Sequence, residues 1–302
     1  MDKLKLLETA VSPLPLTLRQ PILRLPPELR ETVEEIRLRN GKPLSITIAH
    51  TEREVTDHRG QRILVTSADI SLVMDAVTRS SIHTAMESIR GGFVTMQGGH
   101  RIGVCGTAVL KDGSISMLRN FSSLCIRVAR EICGCSDDLI DSLYEDGFFS
   151  DTIVLSPPGL GKTTLIRDLV RNLSARNIRV GLVDERGEIA AMQDGKPQFD
   201  LGSKTDILDG IPKSTGMMML LRCMSPNVIC VDEITAPADV EAVEVCSNCG
   251  VKLLVTVHAA SVDELYHRPV FRALLDRGIF KRAVIVSVEK DKRLYGVRKL
   301  DT

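Results

Sequence analysis

The chain has 302 residues, 43% of them hydrophobic and 26% charged, with three Tyr, seven Phe and no Trp. This length can carry two ordinary domains, and the composition is that of a globular chain. Lys plus Arg and Asp plus Glu each number 39, a neutrality that, with so few aromatic rings, argues against a broad basic face or a base-stacking platform, so no nucleic-acid partner is expected.

The opening stretch MDKLKLLETA mixes charge with leucine and holds no apolar core of signal-peptide length. No apolar run approaches the roughly 18 residues of a membrane-spanning helix, so a cytoplasmic chain with no transmembrane segment of its own is expected. Prolines at 13, 15, 21, 26 and 27 exclude a long continuous helix from residues 1–30. The segment EEIRLRNGKPLSITI reads as two strands around an Asn40-Gly41 turn. Ser67 is expected to cap a helix over ADISLVMDAVT, in which Ile70, Val73, Met74 and Val77 fall at helical spacing. A second helix fits SIHTAMESIR, and FVTMQ, HRIGVCGTAVL, SISML and SLCIRVA read as strands, with an Asp112-Gly113 hairpin turn. These elements make residues 1–135 a smaller α+β N-terminal domain.

Of the eight cysteines, Cys105, Cys125, Cys223 and Cys230 lie in apolar or strand-like surroundings and are expected as small core residues. The close pairs Cys133/Cys135 and Cys246/Cys249 are isolated from each other, so reduced thiols are expected in place of a structural zinc site.

From about residue 150 the rhythm becomes apolar strand, turn, amphipathic helix, with TIVLS, RVGLVD, VICVD, KLLVTV and AVIVSV as the strands. Alternation of that kind predicts an α/β domain over residues 136–302, a mostly parallel sheet covered by helices on both faces. Ligands of such sheets bind beyond the carboxyl ends of the strands, and the chemistry-bearing residues fall there. SPPGLGKTT, residues 156–164, follows one strand and opens a helix with an apolar stripe at Leu165, Ile166, Leu169, Val170 and Leu173. It has the form of a phosphate-binding loop with Ser156 where the pattern has its first glycine. Ser156, Pro157, Pro158, Gly159, Leu160, Gly161, Lys162, Thr163 and Thr164 are therefore the expected ATP-binding residues. Ser156 is tolerable there if its φ is negative, since it sits where the chain leaves the strand. Lys162 is placed to contact the β- and γ-phosphates and the Thr163 hydroxyl to ligate Mg²⁺.

Farther on, NVICVDEI ends a buried strand in two acids. Asp232 is placed for the metal's water shell and Glu233 for polarising the attacking water. A second acidic cluster, DERGE, brings Asp184, Glu185, Arg186 and Glu188 to another strand end, so Glu185 competes with Glu233 as general base. KLLVTV terminates at Thr256 and His258, the latter a sensor of the γ-phosphate.

In this order the boxes SPPGLGKTT, VDERGEI, VICVDEI and TVHA resemble those of the secretion, or traffic, ATPases of type II and type IV systems. VDERGEI departs from that group's acidic box at Arg186, which replaces a proline. GGHRIGVCGTAVLKDG, SSLCIRVARE, SPPGLGKTTLIRDLVR and TDILDGIPKSTGMMMLLRCMSPNVICVDEI extend the likeness more specifically to the stage III sporulation protein AA family of endospore-forming bacteria. The resemblance implies a RecA-like P-loop core and an ATPase on the mother-cell side of the channel to the forespore, peripheral at the membrane through membrane proteins of that complex. It also implies a homo-oligomer, commonly a hexameric ring, in which an N-terminal arginine completes the nucleotide site, with Arg101, Arg127 and Arg130 as the choices and Arg127 foremost. Two rivals keep the same motifs: a RecA-like nucleic-acid-dependent ATPase, and a nucleotide-binding scaffold without productive turnover.

Overall fold

The proline-dense start of the chain breaks into short helices, α1 (Lys3–Val11), α2 (Leu16–Leu23) and α3 (Pro27–Arg30). Pro27 stands in the first turn of α3, where a missing N–H costs no helical bond. The computed structural model describes residues 3–78, 89, 92–111, 114–289 and 292–300. The chain divides into two compact units, residues 1–131 with 191–198, and residues 132–190 with 199–302.

In the first unit β1 (Val33–Arg39), β2 (Ser45–Ile48), β3 (Thr51–Glu54), β4 (Phe93–Met96), β5 (His100–Lys111) and β6 (Ser114–Arg127) form one antiparallel sheet in the order β3-β2-β1-β6-β5-β4. Helix α4 spans Ser67–Thr78. Its cap is Thr66 and not Ser67: the Thr66 hydroxyl accepts from the Asp69 N–H at 3.2 Å while the Asp69 carboxylate accepts from the Thr66 N–H at 2.9 Å. Ile36, Leu38, Ile102, Leu124 and Ile126 from the sheet pack with Leu7, Leu18, Ile22, Ile70 and Val73 from the helices. SISML and SLCIRVA, read separately from sequence, are parts of the single strand β6. Among the cysteines, Cys230 is buried and Cys125 half-buried, but Cys105 and Cys223 are exposed. Cys105 stands where the β5–β6 ribbon leaves the core, and Cys223 ends a helix on its outer side. Apart from Ile89, SIHTAMESIR lies outside the described residues, as does the Asp112-Gly113 turn.

The second unit holds the small hairpin β7 (Tyr144–Glu145) and β8 (Phe148–Phe149), and then β9 (Thr152–Leu155), β10 (Val180–Asp184), β11 (Thr205–Asp209), β12 (Val228–Val231), β13 (Lys252–Val257), β14 (Arg282–Glu289) and β15 (Lys292–Lys299). The last seven make a sheet in the order β11-β10-β12-β13-β9-β14-β15, parallel throughout except for the β14–β15 hairpin. Its five inner strands are the five apolar runs of the sequence. The two edges, β11 and β15, are half-buried and mostly exposed respectively, so neither carries an apolar run. Helices α5 (Lys162–Ala175), α6 (Lys213–Cys223), α7 (Pro237–Asn248), α8 (Val262–Tyr266) and α9 (Pro269–Asp276) accompany the sheet. The approach of α6 depends on glycine: a Cβ on Gly216 would meet Val183 Cγ1 at 2.6 Å. Met217 and Leu220 of that helix are buried, as core packing requires, whereas Met219 faces out at 45% exposure.

Candidate functional site

Strand β9 is buried along its whole length and delivers the chain into the loop at 156–161. Ser156 is fully buried, its N–H donates to the Val257 carbonyl at 3.3 Å, and its hydroxyl donates to the Pro157 carbonyl at 2.8 Å. Its φ is negative, whereas Gly159 and Gly161 have φ of 78° and 95°. The backbone thus needs glycine at those two places and not at 156. Pro157 and Leu160 are half-buried, Pro158 and Gly159 are exposed, and Gly161 leads directly into α5. The first N–H groups of that helix, at Lys162, Thr163 and Thr164, lack intrahelical acceptors and form an anion-binding helix start.

Lys162 is only 7% exposed, and burial lowers its pKa against the pull of Asp232 and Glu233. Its Nζ lies 3.2 Å from His258 Nδ1 and 3.4 Å from Nε2. The same ring places Nδ1 at 3.1 Å from the Ser156 carbonyl and Nε2 at 3.2 Å from Glu233 Oε2. A ring protonated at Nδ1 donates to Ser156 and accepts from Lys162 at Nε2; a second proton would turn to Glu233. Arg268 fixes the segment by donating from Nη1 to the His258 carbonyl at 2.6 Å.

Glu233 sits just past β12 with φ 25°, a left-handed conformation that costs a non-glycine residue about 1–3 kcal/mol. Three bonds hold it: the Glu233 N–H donates to Thr256 Oγ1 at 2.7 Å and to Asp232 Oδ1 at 3.0 Å, and the Ile234 N–H donates to the Thr256 carbonyl at 3.0 Å. The Thr256 hydroxyl donates in turn to Asp232 Oδ1 at 2.9 Å. Asp232 Oδ2 and the Thr163 hydroxyl have no hydrogen-bond partner among the described residues. Two hard oxygen ligands suit Mg²⁺, which keeps waters and takes substrate oxygens to complete its shell. Among the described residues no group of three or more His, Cys, Asp or Glu is arranged to hold a metal alone.

The acidic segment after β10 separates into distinct parts. Asp184 is fully buried and accepts from the N–H groups of Glu188, Ile189 and Ala190 at 2.9, 3.0 and 2.8 Å. Burial pushes its pKa up to about 6 despite those donors, and its work is to fold the 185–190 turn. Glu185 is engaged by buried Lys213. Arg186 points the other way, with Nη1 at 3.7 Å from Glu233 Oε2. The second unit therefore gathers Lys162, His258, Glu233 and Arg186 into one charged chain and leaves Glu185 with Lys213. Arg127 belongs to the first unit, at the end of β6, where its side chain is 70% exposed and its Nε lies 3.4 Å from Glu35 Oε1. Arg101 lies over the Phe93 ring at 3.9 Å, and Arg130 donates to the Thr32 carbonyl. Lys213 and Arg268 carry no sequence signal, because what marks them is a partner distant along the chain.

Residues 9–299 match the family described as "Sporulation stage III, protein AA". The chain belongs to that family. "Stage III sporulation protein AA" of Bacillus subtilis (strain 168) is 33% identical over 286 residues, which cover 92% of this chain and 90% of that protein. Among solved structures, the pilus retraction motor PilT with bound ADP aligns with a TM-score of 0.63 at 16% identity, over 91% of this chain and 82% of that one. The ATPase DotB of Legionella pneumophila aligns with a TM-score of 0.56 at 14% identity, over 88% of this chain and 76% of that one. These likenesses show the fold alone: a RecA-like P-loop core for the second unit, and for the first an N-terminal domain built on an antiparallel sheet. Among the described residues no helix is long and apolar enough to cross a membrane.

Proposed function

We propose that the chain is an ATP hydrolase that energises or assembles a secretion-like channel between mother cell and forespore. The observation that carries this reading is the Lys162–His258–Glu233 chain, because one histidine ring lies 3.2 Å from the Lys162 ammonium of the loop and 3.2 Å from the Glu233 carboxylate at the strand end. Lys162 and the N–H groups at the start of α5 bind the β- and γ-phosphates. Thr163 and Asp232 would hold Mg²⁺, which supplies charge neutralisation at the phosphate oxygens when bound. Glu233 accepts the proton of the attacking water, and its contact with His258 and Lys162 supports it over Glu185, whose carboxylate is engaged by Lys213. His258 sits between loop and base, so a γ-phosphate drawing Lys162 away releases the ring and frees Glu233. Arg127, largely exposed, is the residue offered to the nucleotide of a neighbouring copy in a homo-oligomeric ring of hexameric type. The protein works in the mother-cell cytoplasm and reaches the membrane through membrane proteins of the channel complex. The test is Glu233→Gln. Its ATP turnover should fall by at least a hundredfold while ADP binding persists; full turnover removes Glu233 from the base role, and equal support of sporulation by both forms favours a scaffold.

A further inference from the structure

Strand β14 pairs with β9 as far as Ile285 opposite Leu155, and then runs on to Glu289, beyond the point where β9 turns into the phosphate loop. The returning strand β15 pairs Arg293 with Val288 in this overhang. Two residues on, Tyr295 is half-buried, near the Cys135 thiol. The Arg293 guanidinium lies directly against Gly161: a Cβ built there would stand 2.7 Å from Cζ, 2.8 Å from Nε and 3.1 Å from Nη1. The glycine therefore gives room to this side chain as well as supplying a φ of 95°.

On the Gly161 side of the helix start, positive charge gathers. A helix N-terminus carries about half a positive charge, Lys162 is the first residue of that helix, and Arg293 adds a full charge alongside. Arg293 is exposed and makes no hydrogen bond or ion pair among the described residues. A guanidinium set against a helix start and a lysine, with no carboxylate of its own, is unfavourable until an anion arrives. Its planar fork suits phosphate oxygens in particular.

Building on the nucleotide-site reading above, we propose that Arg293 is a further phosphate-binding residue, supplied by the β14–β15 hairpin of the same chain, which clamps the non-transferred phosphates from outside the loop. The nucleotide is then held between the loop and the hairpin, and hairpin position becomes coupled to nucleotide occupancy. The test measures displacement of fluorescent ADP from wild type, Arg293→Gln and Arg293→Lys by ADP and by tripolyphosphate, with thermal unfolding to confirm the fold. Arg293→Gln should weaken both ligands about tenfold, the low end for a charged hydrogen bond, and Arg293→Lys should weaken them less. Unchanged binding by Arg293→Gln overturns the proposal. So does a loss for ADP with none for tripolyphosphate, which would put the guanidinium on the base. Wild type that binds neither ligand overturns the nucleotide-site reading itself, and this proposal with it.

Discussion

Thr256→Val tests how Glu233 is held. Valine matches threonine in shape, so the fully buried site keeps its packing and loses only the hydroxyl. That hydroxyl donates to Asp232 Oδ1 at 2.9 Å and accepts from the Glu233 N–H at 2.7 Å. Each partner retains one bond, the one between the Glu233 N–H and Asp232 Oδ1 at 3.0 Å. The stability lost should therefore be about 1–2 kcal/mol, and not the larger penalty of a fully orphaned buried group. The functional effect is larger than that loss implies. The left-handed backbone at Glu233 costs about 1–3 kcal/mol, a strain the Thr256 bonds help to hold, and relaxation would swing the carboxylate away from His258. Loss of alignment of this kind lowers turnover by about tenfold to a hundredfold. Urea unfolding gives the first quantity, and ATP turnover beside ADP affinity gives the second. Turnover that falls only in proportion to the folded fraction would refute the idea that Thr256 positions Glu233.

Two further outcomes concern buried titratable groups. His100 is fully buried, accepts from the Ala129 N–H at Nδ1 and meets Thr9 Oγ1 at Nε2, and burial lowers its pKa from 6.5 to about 4. The unfolded chain takes up the proton first, so the first unit should be fully stabilised above pH 6.5 and lose about 3 kcal/mol as pH falls towards 4. His100→Gln should flatten that slope in thermal unfolding, and an identical slope in both proteins would contradict the assignment. Asp184→Ala removes the acceptor of three N–H groups and should destabilise by about 2–4 kcal/mol, a range kept low because the buried carboxylate is itself unfavourable. Asp184→Asn should recover part of it in urea unfolding, and an alanine variant as stable as wild type would deny Asp184 its hold on the turn.

What could be read in the sequence followed burial. The inner strands of the second unit are covered on both faces, so each is an unbroken apolar run such as VICV or KLLVTV. The edge strands TDILD and KRLYGVRK are wetted and show no such run. The turn at 156–161 was legible because its determinants are local: Gly159 and Gly161 take φ of 78° and 95°, and the helix starts at the next residue, Lys162. The cap of α4 was displaced by one residue because Thr66 and Ser67 are both good capping types and only the Asp69 carboxylate distinguishes them. The division of the acids was not legible at all. Asp184, Glu185 and Glu233 all end strands, and what separates them is three backbone donors, Lys213 and His258, each brought in by the fold.

Equilibrium binding of ADP and ATP in the presence of Mg²⁺, measured on folded wild type and on Lys162→Ala, tests the phosphate-loop assignment most directly. Saturable binding by wild type, weakened by a hundredfold or more in Lys162→Ala at unchanged thermal stability, is the predicted result. Equal affinity in the two proteins, or none in wild type, would contradict it.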